Sequence, residues 1–273
     1  MHGTLNLIDT ALLLSAAYPL WRAWRANRGT SLRHTLAWTV LTWLAWVCTF
    51  VAGASSIVDS SALRYVSLCL TGCAVVAVLG ARRPGVVAWN FVVIGLLAVT
   101  LLPLAESTFL HGTTQISGNR LILVAAVVGA GVLNYLPTRL APAAIMVAFG
   151  CGVELLIVMD PEPPASRWTQ IAPVSRFLLA FSPWAAFFGF RRRPTPGSTA
   201  NEMWRDYRDR FGLMWGQRLR EQFNRCAANA GWPVYLYWQG LRRLPLAPPP
   251  SPAEHEAIVN TMTALMKRFG QAY

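Results

Sequence analysis

Phe187-Phe188-Gly189-Phe190-Arg191-Arg192-Arg193 ends the last long apolar run of the chain in three consecutive arginines. Crossing a hydrocarbon core takes about 20 apolar residues, and runs approaching that length recur upstream of this stretch. Downstream the composition turns polar, with arginines set among aromatic residues. The border predicts a membrane bundle over residues 1–193, a linker over 194–199 and a basic, water-facing tail over 200–273.

The composition of the 273-residue chain agrees with that division. Hydrophobic residues make up 54% and charged residues only 13%, against roughly 25% charged in soluble domains. The formal net charge is +12, and every basic side chain except Lys267 is arginine. This bias fits a genomic preference for arginine, so the charge speaks to topology before it speaks to a ligand.

Seven stretches qualify as spans, at approximately 5–21, 36–54, 62–80, 86–105, 121–136, 141–159 and 171–190. If Pro137 and Pro142 mark a kink instead of a turn, the count falls to six. Arg22, Arg25, Arg28 and Arg33 follow the first span, Arg82 and Arg83 the third, Arg139 the fifth and Arg191 to Arg193 the seventh. Under the positive-inside rule these odd-numbered connections are cytoplasmic. The even ones carry Asp59 in the second, Glu106 and His111 with Arg120 in the fourth, and Asp160 and Glu162 with Arg167 in the sixth. The expectation is an all-α, seven-helix bundle in a bacterial inner membrane, with its N-terminus outside and its C-terminus inside. The first segment has no basic residues before it and carries Asp9 within it, unlike a cleaved signal peptide, so it is expected to stay as a membrane helix.

Trp21, Trp24, Trp38, Trp168 and Trp184 fall near the span ends, as interfacial aromatics do. Ala125 and Gly129, with Ala144, Ala148 and Gly152, repeat small residues at four-residue spacing. They point to a tight hairpin of the fifth and sixth spans. Cys48, Cys69, Cys73, Cys151 and Cys226 lack zinc-ligand spacing and read mainly as small buried hydrophobes. The four histidines form no metal pattern, and no phosphate loop, nucleophile elbow or HExxH motif is present. No cofactor, metal or catalytic residue is assigned, and an enzyme is disfavoured.

The candidate site rests on ionisable residues inside the spans, each of which costs about 2.5–3.5 kcal/mol at a helix centre on insertion scales. Glu154 and Arg176 both lie roughly 7–8 Å below the outer boundary at 1.5 Å per residue, so an ion pair between them is expected. Asp9 and Arg64 lie at similar depth. The four residues form either an outward-facing polar vestibule or an inter-helix clamp. Asn90 and Asn134 read as interhelical hydrogen-bonding groups.

In the tail, Trp204, Tyr207, Phe211, Trp215, Leu219 and Phe223 recur at helical spacing opposite several arginines, in a helix ending near Gly231. Residues 233–238 favour a strand but have no evident partner, and 242–250 read as an extended connector. Ser251, Pro252 and Glu254 start a last helix with a capping box. Three roles compete for the tail: an amphipathic helix on anionic lipid, a small domain that docks a partner, and, least favoured, nucleic-acid binding. The candidate lipid or partner contacts are Arg191, Arg192, Arg193, Trp204, Arg205, Arg208, Phe211 and Trp215. Two functions remain in view: an interaction or assembly component of a membrane complex, self-association included, and a small-solute transporter or sensor using the vestibule.

Overall fold

The computed structural model describes residues 2–54, 60–81, 86–109, 118–159, 167–190 and 199–269. Residues 194–198 of the expected linker, Arg82 and Arg83, Arg191 to Arg193, and the acidic residues at 59, 160 and 162 lie outside the described residues, and Thr199 caps α9 instead of belonging to a linker. The helices run α1 (His2–Ser15), α2 (Ala17–Ala26), α3 (Leu32–Ala54), α4 (Ser60–Leu79), α5 (Val86–Phe109), α6 (Gly118–Tyr135), α7 (Ala141–Met159), α8 (Arg167–Gly189), α9 (Ala200–Asn229) and α10 (Pro252–Lys267). A two-stranded hairpin, β1 (Val234–Tyr237) and β2 (Gly240–Arg243), lies between α9 and α10.

Among the described residues six helices, α3 to α8, are long and apolar enough to cross a membrane. The first apolar stretch differs from a single span because it divides into pieces of 14 and 10 residues at Ala16. Pro19 supplies the reason: it has no N–H for the Ser15 carbonyl, and its ring crowds that carbonyl. Both pieces still pack on the bundle, against α3 and α8.

Close helix contacts fall on glycines other than those with the expected spacing. A Cβ on Gly131 of α6 would overlap Val75 of α4, and one on Gly150 of α7 would stand 2.6 Å from Leu179 Cγ of α8. Gly129 and Gly152 meet nothing within 4 Å. α6 and α7 are neighbours, but the most extensive packing in the bundle is between α7 and α8.

The tail is a packed domain. The apolar stripe of α9 is buried against the hairpin, α10 and two bundle residues, Leu32 and Ala81. Residues 234–237, for which the sequence shows no evident partner, pair antiparallel with 240–243, Val234 opposite Arg243 and Tyr237 opposite Gly240. Trp238 and Gln239 make the turn, and Gly240 at φ 145° permits it. Both tail helices begin with capping boxes, Thr199 with Glu202 and Ser251 with Glu254. Gly231 at φ 67° follows the end of α9.

Candidate functional site

Two sites emerge, one at each end of the bundle. At the end remote from the tail domain, Arg64 in the second turn of α4 reaches Glu154 near the end of α7. The Arg64 Nη1 to Glu154 Oε2 distance is 2.6 Å, and Ser175 Oγ of α8 donates to Glu154 Oε1 at 2.6 Å. Glu154 is 1% exposed and Arg64 7%. The α7 carboxylate is thus held by groups from two other helices, α4 and α8. Gly150 and Glu154, one turn apart on α7, meet Leu179 and Ser175, one turn apart on α8. The missing Cβ of Gly150 brings the two backbones close enough for the short Ser175 side chain to reach the carboxylate.

Arg64 is a partner that the depth argument did not single out. α4 and α7 are distant in sequence but adjacent in space. Arg176 follows Ser175 on α8, lies over the Phe50 ring at 5.8 Å, and interacts coulombically with Asp9, Arg64 and Glu154. Asp9 of α1 is buried. The structure therefore gathers all four predicted residues, with Ser175 as an unpredicted fifth. Beside them, Thr49 and Ser67 hydroxyls hydrogen-bond at 2.9 Å, and Trp46 Nε1–H donates to Thr71 Oγ1 at 3.2 Å. Tyr65 O–H donates to the Thr100 carbonyl at 2.6 Å. Asn90 of α5 accepts from Trp38 Nε1–H of α3 at 3.4 Å, an interhelical bond as expected.

At the opposite end the tail domain is fastened to the bundle. α9 bends at Gly212, whose φ of 76° and ψ of −166° are open essentially to glycine alone. The bend exposes backbone groups that a straight helix would satisfy internally, and Asn134 at the end of α6 takes them. Met214 N–H donates to Asn134 Oδ1 at 2.9 Å, and Asn134 Nδ2 donates to the Phe211 carbonyl at 3.5 Å. Tyr135 O–H donates to the Arg210 carbonyl at 3.1 Å. Trp215 Nε1–H reaches the Val78 carbonyl of α4 at 3.1 Å, and Trp238 Nε1–H reaches the Pro137 carbonyl at 2.9 Å. Ser31, before α3, donates through N–H and Oγ to the Phe269 carbonyl at 3.2 and 3.0 Å.

Charge pairs reinforce the joint. Asp209, 2% exposed, receives Arg208 at 2.8 Å and Arg139 of the α6–α7 turn at 3.3 Å. Arg210 pairs with Asp206 at 2.9 Å and reaches Asn27 at 3.4 Å. Among the described residues, the connection at Asn27 and the one at Arg139 thus both meet the tail, and Gly189 at the close of α8 also meets the Arg139 carbonyl.

No family model, curated protein or solved structure matches the chain.

Of the expected lipid or partner contacts, Trp204, Phe211 and Trp215 lie in the tail's own core, with Trp204 and Phe211 fully enclosed. Arg208 is turned inward, donating to the Trp238 carbonyl at 2.9 Å and lying over its ring. Arg205 is exposed, its Nε donating to the Gln239 carbonyl at 3.3 Å. Arg191, Arg192 and Arg193 lie outside the described residues. Exposed aromatics are found elsewhere: Tyr18 and Trp21 of α2 with Phe188 of α8, clustered around Trp184. Arg25 covers Trp21 at 4.7 Å, and Arg33 covers Trp24 at 5.3 Å. This mixture of half-exposed rings and arginines has the character of a membrane–water interface.

Proposed function

We propose that the chain is a multi-pass scaffold or assembly component of a bacterial inner-membrane complex, with the tail domain as its cytoplasmic platform. Multi-pass membrane character follows from the six apolar helices. Seven crossings with the N-terminus outside result if α1 and α2 cross as one broken helix, and the contacts of Asn27 and Arg139 with the tail support that orientation. The observation that carries the scaffold reading is the joint itself. Asn134, Trp215, Trp238, Ser31 and Asp209 tie the tail to three separate parts of the bundle. A domain tethered only for membrane retention needs none of these bonds, whereas a docking platform benefits from a fixed orientation.

The test is native electrophoresis of the full-length protein extracted from its own membrane in mild detergent, with mass spectrometry of the bands. A scaffold migrates with defined, stoichiometric neighbours, and Asn134→Ala combined with Trp238→Phe depletes them while leaving the bundle folded. A chain that runs alone in every mild detergent refutes the proposal.

The second reading, a solute carrier or sensor, is favoured by one observation: Asp9, Arg64, Glu154 and Arg176 share one electrostatic neighbourhood away from the tail. Under that reading Glu154→Gln leaves the fold intact and abolishes uptake or response. The enclosure of Glu154 between Arg64 and Ser175 gives the clamp more support.

A further inference from the structure

A groove of about 220 Å³ lies between the second half of α9 and the residues that follow α10. Its apolar floor is Trp215, Leu219 and Phe269, and its polar rim is Arg218, Glu221, Gln222, Arg225 and Arg268. On a helix Arg218, Glu221 and Arg225 fall on one face. Arg218 lies over the Trp215 ring at 5.3 Å, which fixes its stem, and Glu221 is engaged by Gln217 Nε2 at 3.2 Å. Three guanidinium groups against one carboxylate leave the rim electropositive.

The contrast with the first half of α9 is informative. There Arg208 and Arg210 are each neutralised by a buried aspartate at about 3 Å or less. Among the described residues no carboxylate lies within 4 Å of the guanidinium nitrogens of Arg218, Arg225 or Arg268. Three like charges brought around one concavity repel one another unless an anion joins them. The groove is smaller than a typical site for a whole small molecule, which suits a compact anionic group. Guanidinium recognises such a group through paired N–H donors, and phosphate oxygens match that fork.

We propose that this groove is a phosphate-binding site in which Arg218, Arg225 and Arg268 clasp one phosphate group. The site does not depend on the scaffold reading. Trp215, part of the floor, also donates to the Val78 carbonyl at the bundle end, so the groove adjoins the level where lipid headgroups would lie. A phospholipid headgroup and a soluble phosphate share the required chemistry.

The experiment uses the full-length protein in micelles of a non-ionic detergent that contains no phosphate. Thermal unfolding is followed while inorganic phosphate is titrated against sodium chloride of equal ionic strength. A parallel series adds phosphatidylglycerol to the micelles. Stabilisation by inorganic phosphate identifies a soluble ligand, and stabilisation only by phosphatidylglycerol identifies a headgroup. Either supports the site if Arg218→Gln with Arg225→Gln weakens the apparent affinity at least about ten-fold, while Arg243→Gln on the hairpin leaves it unchanged. Arg268→Gln, outside any helix, repeats the test should the double variant fold poorly. No stabilisation beyond the chloride control, or an equal response in the arginine variants, overturns the proposal.

Discussion

Replacing Glu154 by Gln distinguishes a clamp from a vestibule. Gln keeps the size of the side chain and can still accept from Ser175 Oγ, now at 2.6 Å, so the substitution removes charge and little else. What remains is the Arg64 guanidinium, 7% exposed and without the carboxylate that neutralised it at 2.6 Å. Charges about 4 Å apart in surroundings of effective dielectric about 20 attract by about 4 kcal/mol. Stranding one member of a buried pair costs about 3–5 kcal/mol by measurement in other proteins. The two figures agree, so Glu154→Gln is expected to destabilise the bundle by about 3–4 kcal/mol. Arg64→Gln should cost a similar amount, and the double variant much less than the sum, because it strands no charge. Equilibrium unfolding of the detergent-solubilised protein reads all three. A Glu154→Gln loss under about 1 kcal/mol, or additive losses in the double variant, would show that the pair does not hold the bundle together.

Gly131→Ala, which drives a methyl group into Val75, is expected to cost about 1–3 kcal/mol by overpacking, measured by unfolding midpoint. Gly129→Ala, in open space, should be neutral or slightly stabilising. Gly212→Ala combines the strained backbone with a Cβ 2.8 Å from the Asn134 carbonyl. It should cost about 3 kcal/mol or more, with hydrogen exchange accelerated at 212–215. The Ser251 N–H and hydroxyl hold the Glu254 carboxyl below its usual range. Its capping contribution is therefore present above the unfolded carboxyl's pKa and is lost as pH falls through the lower folded one, so α10 should fray on acidification below that range. Hydrogen exchange at 252–255 follows this, and Glu254→Gln, which retains the box geometry, should flatten the dependence.

Sequence legibility followed the range of the interactions involved. The span expected at 141–159 is α7, and Ser251, Pro252 and Glu254 start α10, because apolar length and capping chemistry act within a few residues. The hairpin escaped notice because its turn is Trp238-Gln239 instead of Asn-Gly, and β2 carries Arg242 and Arg243. Gly240 was its only local signal. The partner of Glu154 was hidden for a different reason: residues 64 and 154 share a depth, but only the packing order of helices decides which residues at one depth meet. Gly212 inside a strongly periodic helix was a visible irregularity, and such a glycine often has a packing reason. Nothing local linked it to Asn134, 78 residues away.

The joint also explains why the tail's aromatic stripe does not lie on lipid. An amphipathic helix on a membrane leaves its apolar face to the acyl chains, but here Trp204, Tyr207, Phe211 and Phe223 are enclosed by protein. A domain of this length is near the lower limit for an independent core. The bundle supplies what is missing, since Leu32 and Ala81 belong to the same apolar cluster and Val78 accepts the Trp215 indole N–H. Polar groups at the bend around Gly212 are met by Asn134 and Tyr135 of the bundle. The bend follows from docking: a straight α9 would satisfy its own backbone but would not present Met214 N–H and the Phe211 carbonyl to α6. Tail and membrane helices therefore share one apolar cluster, and the contacts at the joint set the tail's orientation.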